Sequence, residues 1–320
     1  MMYKPYRVPF NQVDLGLTVD DMKVIGEILR SGNVVGGVWT DRLERQFCTE
    51  FNVEYAVSCS SCTQGLINTL DAAEFKRGTV AMPVFTWGST YEASRRNFNT
   101  TVFCDIDRDS WLIKPISGVD LIIAVDTFGN QANVCSDIPV IYDAAHGFGL
   151  DNLGRRGLAE VVSLAMTKAV TGMQGGIVLT NEKVLGERLR EKTALVSKIT
   201  EVNAFVAFTS MLQYPRNQHI RREIIGEYLV NLDIDYELQE IKECSNNSVF
   251  SILLENTEKR NRIVDIFYNR SIEAKVYYKP IISSELYVNT NEVYSRILAL
   301  PVWNGVQKYI PEICEIINNA

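Results

Sequence analysis

The chain has 320 residues, 46% of them hydrophobic and 22% charged, an ordinary balance for a globular protein with a sizeable core. Its 32 basic and 39 acidic residues leave a net charge of −7 with no Lys/Arg block, which argues against nucleic acid or an anionic membrane as partner. No apolar run approaches the ~18 residues of a membrane span, and the opening MMYKPYRVPFNQVD carries no apolar leader core, so a cytoplasmic protein is expected.

In chain order, Thr18–Ser31 reads as an amphipathic helix stopped by Ser31-Gly32, and Val38–Phe51 as a second helix. Seven short apolar runs then read as strands: Val53–Ser58, Thr79–Met82, Thr101–Cys104, Leu121–Val125, Pro139–Tyr142, Val161–Met166 and Gly176–Thr180. Helical spacing fills Thr63–Phe75 and Thr90–Asn97 between them. Continuous apolar strands alternating with helices predict an α/β fold, with a mostly parallel sheet between helical layers. From Lys183 to about Leu232 the pattern is helical, with a break expected at Pro215. A strand (Ser248–Leu254), a helix (Glu258–Asn269), a strand (Ala274–Tyr278) and a last helix (Val306–Asn318) follow. Two domains are expected: residues 1–230 as a large unit with a helical N-terminal segment, and 231–320 as a small α+β unit.

Ligands of parallel sheets bind beyond the carboxyl ends of the strands. After the first strand comes Cys59-Ser60-Ser61-Cys62-Thr63, opening a helix whose N–H groups and hydroxyls suit a phosphate; Ser61 or Thr63 serving only as an N-cap is the plainer reading. Cys59 and Cys62 form a C-x-x-C, but no second pair completes a zinc set, and both read as small buried residues beside a turn. No metal is expected. Trp87, after the second strand, can stack on a planar ligand or join the core. Asp143 closes an apolar strand and needs a partner, with His146 three residues on. Lys168 follows an apolar run that includes Ser163. Burial there disfavours the ammonium and yields the neutral amine that carbonyl chemistry requires. Phosphate cradle, aromatic plate, acid, imidazole and buried amine together meet the needs of pyridoxal phosphate.

The order of these motifs resembles the DegT/DnrJ/EryC1/StrS family of pyridoxal-phosphate-dependent sugar aminotransferases. The resemblance runs from Val8-Pro9-Phe10 to the end of the chain. It rests on Ser61-Cys62-Thr63-Gln64-Gly65-Leu66, Pro83-Val84-Phe85-Thr86-Trp87, Asp143-Ala144-Ala145-His146-Gly147-Phe148-Gly149 and Ser163-Leu164-Ala165-Met166-Thr167-Lys168, with Gly175-Gly176 beyond. It is extended by the segment from Ile272 to Pro280 and by Leu300-Pro301-Val302-Trp303.

The resemblance implies a fold-type-I transferase in which Lys168 holds the cofactor as an aldimine and carries the proton during transfer. It implies that Asp143 pairs with the pyridine nitrogen and His146 sits near the phenolic oxygen. Trp87 would stack on the ring, and Cys62, Thr63 and Ser163 would hold the phosphate. It also implies a homodimer with shared sites, in which Lys198 stands where the family has an Asn that reaches the neighbour's phosphate. The implied reaction is ping-pong transfer of an amino group, by family habit from L-glutamate, to a nucleotide-linked keto sugar through the pyridoxamine form. The chain departs from the pattern at Val125-Asp126-Thr127-Phe128-Gly129, where Asp126 replaces a His, and after Pro280, where Ile281-Ile282 replace another. Both changes bear on substrate identity. Sugar dehydration is a second reading, opposed by Lys168, since the family's dehydratases carry His there. A non-catalytic binding relative is a third, opposed by the joint presence of Asp143, Ser163 and Lys168.

Overall fold

The computed structural model describes residues 6–13, 15–75, 77–98, 100–114 and 116–320. The first five residues, on which part of the leader expectation rests, lie outside these.

Helix α1 (Val19–Ser31) starts from a reciprocal cap, in which the Thr18 hydroxyl accepts from the Asp21 N–H and the Asp21 carboxylate accepts from the Thr18 N–H. It ends at Gly32, whose φ of 71° is the left-handed conformation glycine adopts without strain. Helix α2 (Val38–Phe51) follows. The sheet then builds from β1 (Tyr55–Cys59), β2 (Thr79–Pro83), β3 (Thr100–Cys104), β4 (Leu121–Val125), β5 (Val140–Ala144), β6 (Ala159–Ser163) and β7 (Gly176–Thr180), with α3 (Cys62–Ala72) and α4 (Gly88–Asn97) as crossovers. Strand order is β1-β7-β6-β5-β4-β2-β3, and only β7 runs antiparallel to its neighbours. The sheet is therefore mostly parallel, as read from the sequence. β4, β5, β6 and β7 are buried at every residue, because apolar clusters cover both faces of the sheet.

Helices α5 (Lys183–Val196) and α6 (Glu201–Asn231) complete the helical stretch. The break expected at Pro215 falls instead at residues 197–200, and Pro215 lies inside α6. A proline inside a helix costs about 3 kcal/mol. Here it sits on an exposed face, while Ala204, Ala207 and Met211 before it and Ile224, Ile225 and Tyr228 after it bury into two separate cores. That burial outweighs the lost hydrogen bond.

Beyond α6 lie β8 (Glu237–Leu238), β9 (Phe250–Leu253), α7 (Thr257–Asn269), α8 (Val288–Arg296), β10 (Ile297–Leu300) and α9 (Ile310–Asn318), the last preceded by a 3₁₀ turn over Val306–Tyr309. Strands order as β10-β9-β8. The strand expected over Ala274–Tyr278 reduces to one bridge, Lys275 to Ala299. Tyr277 and Tyr278 turn away to pack on Phe128, with ring centroids 6.2 and 5.1 Å apart. The expected strand Val161–Met166 also ends early, at Ser163. There the Ser163 hydroxyl accepts from the Ala165 N–H, which draws the backbone out of the ladder into a turn. Lys168 therefore stands on the loop after β6, its N–H donating to the Ala165 carbonyl.

Candidate active site

Because β1, β2, β4, β5 and β6 run in one direction, the residues following them gather at one edge of the sheet. The antiparallel β7 begins at that same edge with Gly176, which pairs with Cys59 on one side and Ser163 on the other. A cavity of about 340 Å³ opens there, lined among others by Cys62, Thr63, Trp87, Asp143, His146, Ser163 and Lys168. Seven of the eight residues singled out from the sequence thus share one cavity.

The start of α3 faces it. Ser61 is the N-cap, its hydroxyl accepting from the Gln64 N–H, and it lines the cavity together with Thr63. A Cβ on Gly176 would come within 2.6 Å of the Cys62 nitrogen. Only a glycine lets this strand pass so close to the helix start. Burial pushes the Cys59 thiol up to about 12, and burial and then Asp143 hold the Cys62 thiol well above its ordinary value. Both thiols are held in the protonated form, and neither is in a disulfide.

Asp143 lies on the floor, 4% exposed. Thr90 Oγ1 donates to its Oδ2 at 2.6 Å and the Ala145 N–H to its Oδ1 at 3.2 Å. Burial raises the carboxyl's pKa and these donors pull it back. A cation brought against it would be held in a water-poor setting, where attraction is strong. Lys168 Nζ donates to His146 Nε2 at 2.8 Å, and His146 Nδ1 lies 2.7 Å from Ser248 Oγ. Burial lowers the lysine to about 8 and, with the Lys168 and Arg221 charges, holds the imidazole well below its usual value. His146 is neutral at pH 7, and an appreciable share of Lys168 is the free amine.

Trp87 stands at the cavity mouth, 62% exposed, with its edge toward Tyr277 and Tyr278 at centroid distances of 6.4 and 6.3 Å. It does not join the core. Lys198 does not line this cavity. Its neighbour Ser197 accepts from the Ser60 N–H at 2.8 Å, so the loop lies beside the start of α3 with the Lys198 side chain exposed.

Three supporting residues escaped sequence reasoning: Thr90, Ser248 and Tyr278, whose hydroxyl lies 3.4 Å from His146 Nε2. Thr90 and Ser248 reach their partners across 53 and 102 residues of sequence, and no local pattern signals such contacts. Asp126, in the position read as a missing His, is wholly buried. It is tied to Arg156, which also grips the buried Glu160 and lies 4.4 Å over the Tyr142 ring.

A sequence model of the DegT/DnrJ/EryC1/StrS aminotransferase family matches residues 17–195 and 187–317. Among solved structures, Spr1654 of Streptococcus pneumoniae superimposes in its apo form with a TM-score of 0.87 at 18% identity, covering 98% of each chain. It has also been solved in forms holding pyridoxal phosphate and pyridoxamine phosphate. PseC of Helicobacter pylori, an aminotransferase of pseudoaminic acid biosynthesis, gives a TM-score of 0.85 at 21% identity over 99% of each chain. DesI, solved in the presence of its TDP-sugar product, gives 0.84 at 20% identity, covering 97% of this chain and 91% of its own. At these identities the structural likenesses establish the fold.

Proposed function

The chain belongs to the DegT/DnrJ/EryC1/StrS aminotransferase family, and from that premise we propose that it moves an amino group from L-glutamate to a nucleotide-linked keto sugar with pyridoxal phosphate as cofactor. The observation that carries this reading is the amine of Lys168 held 2.8 Å from a neutral imidazole, in a cavity with a buried carboxylate on its floor. DesI, solved in the presence of its TDP-sugar product, supports the sugar acceptor.

The donor set fits the cofactor. The open start of α3, cleared by the missing Cβ of Gly176, suits a phosphate. Asp143 suits a protonated pyridine nitrogen, Lys168 the aldehyde, and Trp87 a ring face. When bound, the cofactor supplies an electron sink for the charge left on the amino acid's α-carbon. Everything else is the work of this chain's residues. Thr90 and the Ala145 N–H fix the Asp143 carboxylate so that it meets the ring nitrogen in one orientation. Lys168, depressed to about 8, is able to take up and return a proton near neutral pH. His146, with Ser248 at Nδ1, presents its other nitrogen to Lys168 and Tyr278 and holds the amine in place. Thr63 and Ser163 offer hydroxyls to the phosphate.

We place Lys198 in the site of a second copy of the chain, across a homodimer. Its exposure, and that of Leu195 and Val196 beside it at 84% and 62%, supports a covered surface there. The division into residues 1–230 and 231–320 belongs to the same proposal.

The test is an absorbance spectrum of the protein with pyridoxal phosphate, then with L-glutamate, then with keto sugars on TDP or UDP. A bound-cofactor band absent from Lys168→Ala, moving to the pyridoxamine position with glutamate and returning with a keto sugar, is the expected result. A band that forms equally in Lys168→Ala would overturn the assignment.

A further inference from the structure

The Thr90 hydroxyl that meets Asp143 has a second hydroxyl behind it. Thr90 Oγ1 lies 2.6 Å from Asp143 Oδ2 and 3.0 Å from Thr86 Oγ1. Thr90 stands in the first turn of α4, where the helix's positive end favours a carboxylate, and Thr86 precedes the cap of the same helix. Both threonines are buried. The arrangement departs from what threonines do elsewhere in this chain. Thr49 on α2 and Thr69 on α3 give their protons to the carbonyl four residues back, the usual local bond. Thr90 forgoes that bond and turns to the acid.

Counting protons gives this chain a direction. A hydroxyl has one proton to give. Thr90 gives its own to the carboxylate, so it accepts from Thr86. The Thr86 hydroxyl has no other hydrogen-bond partner among the described residues. Protonating Asp143 on Oδ2 would reverse the order. The new O–H would point at Thr90, Thr90 would point at Thr86, and the Thr86 proton would be left without a protein acceptor. Protonation on Oδ1 would set an O–H against the Ala145 N–H, itself a donor. Leaving a buried polar group unpaired is costly, so both routes to the neutral acid are opposed.

The titratable groups facing Asp143 are Cys62 of α3, Asp126 after β4, Lys168 after β6 and Tyr278. Burial pulls the carboxyl toward its neutral form, and Lys168 is the cation among these neighbours. The two hydroxyls oppose burial without adding a further charge that would repel a cationic ring. We infer that Thr86 is a positioning residue for the transfer, which acts through Thr90 to hold Asp143 as the carboxylate that a protonated pyridine nitrogen requires. This rests on the pairing of Asp143 with the ring nitrogen proposed above, and adds the residue that keeps the acid ready for it.

The test titrates the cofactor-free protein with pyridoxal phosphate and with the analogue in which C–H replaces the ring nitrogen, from neutral to acid pH. Phosphate and aldehyde are common to both, so the ratio of the two affinities reads the ring-nitrogen contact. The wild type is expected to prefer the nitrogen ring and to lose that preference at the pH where Asp143 takes up a proton. Thr90→Val should move this midpoint upward by about 1–2 pH units, the range of a lost charge-assisted hydrogen bond. Thr86→Val should move it upward by about half a unit to one unit, the range of a neutral one. Thr86→Val should add nothing in a Thr90→Val background, because Thr86 acts only through Thr90. Thr86→Ser and Thr90→Ser keep the hydroxyls and should restore the wild-type midpoint. Thr86→Ala gives the same reading if Thr86→Val does not fold. A Thr86→Val midpoint equal to that of the wild type, or a shift undiminished in the Thr90→Val background, overturns the role of Thr86. Equal weakening of both rings with no change of midpoint reduces it to packing and overturns it too. If the wild type binds the two rings equally at every pH, the pairing of Asp143 with the nitrogen falls first and takes this inference with it.

Discussion

The lowered basicity of Lys168 makes a quantitative prediction about pH. Its amine titrates at about 8, pulled down first by burial and held up by the nearby Asp143 carboxylate. At that value roughly a tenth of the amine is neutral at pH 7 and roughly nine tenths at pH 9. Capture of pyridoxal phosphate by the cofactor-free protein should rise about tenfold between those points and level off above them. An ordinary lysine would rise about 100-fold over the same interval and keep rising. Stopped-flow absorbance measures capture, with Lys168→Ala as the blank and a free alkylamine alongside to remove the cofactor's own titration. The variant Asp143→Asn sharpens the test. Its lost carboxylate no longer favours the ammonium, so the midpoint should move further below 8. A midpoint near 10, or an upward move in Asp143→Asn, would refute the claim that burial governs this amine.

Gly176→Ala should weaken cofactor binding by at least tenfold while the protein still folds, because the new methyl would lie 2.6 Å from the Cys62 nitrogen and push the start of α3 off the phosphate; equilibrium titration reads this, and unchanged affinity would show that the close approach is incidental. Arg156→Met should destabilise the chain by about 3–5 kcal/mol, because it strands the buried Asp126 and Glu160 without a cation; denaturant unfolding measures it, and a loss under 1 kcal/mol would show that the acids take up protons instead. If Lys198 serves the neighbouring site, Lys168→Ala and Lys198→Ala should each be impaired alone, and mixing them should restore activity, since a hybrid dimer holds one intact site. Equal activity before and after mixing would place Lys198 in its own chain's chemistry or in none.

Much of the site was legible because this fold gathers chemistry at strand ends. Once the apolar runs were recognised as strands, Thr63, Trp87, Asp143 and Lys168 followed from their position after each run. The places that resisted reading share a physical cause. Ser163 ends β6 through a hydroxyl bond to the Ala165 N–H, which an apolar run does not announce. Pro215 continues a helix because two remote cores hold its flanks. Tyr277 and Tyr278 leave their expected strand for Phe128, a long-range aromatic preference. Thr90, Ser248 and Tyr278 matter only through what the fold sets opposite them.

The distribution of charge separates framework from function. The buried acid Asp126 has its arginine, and its N–H is given to the Asp143 carbonyl, so it braces the cavity floor without competing for ligands. Glu44 is shared between Ser58 and Arg190, and Glu201 takes the Gly37, Trp39 and Thr40 N–H groups at the start of α2. Against this background Asp143 and Lys168 stand apart: both face the cavity at this sheet edge, and neither has an ion-pair partner among the described residues. A ligand that placed a cation on Asp143 and a carbonyl on Lys168 would satisfy both at once. A protonated pyridine ring bearing an aldehyde has those two groups.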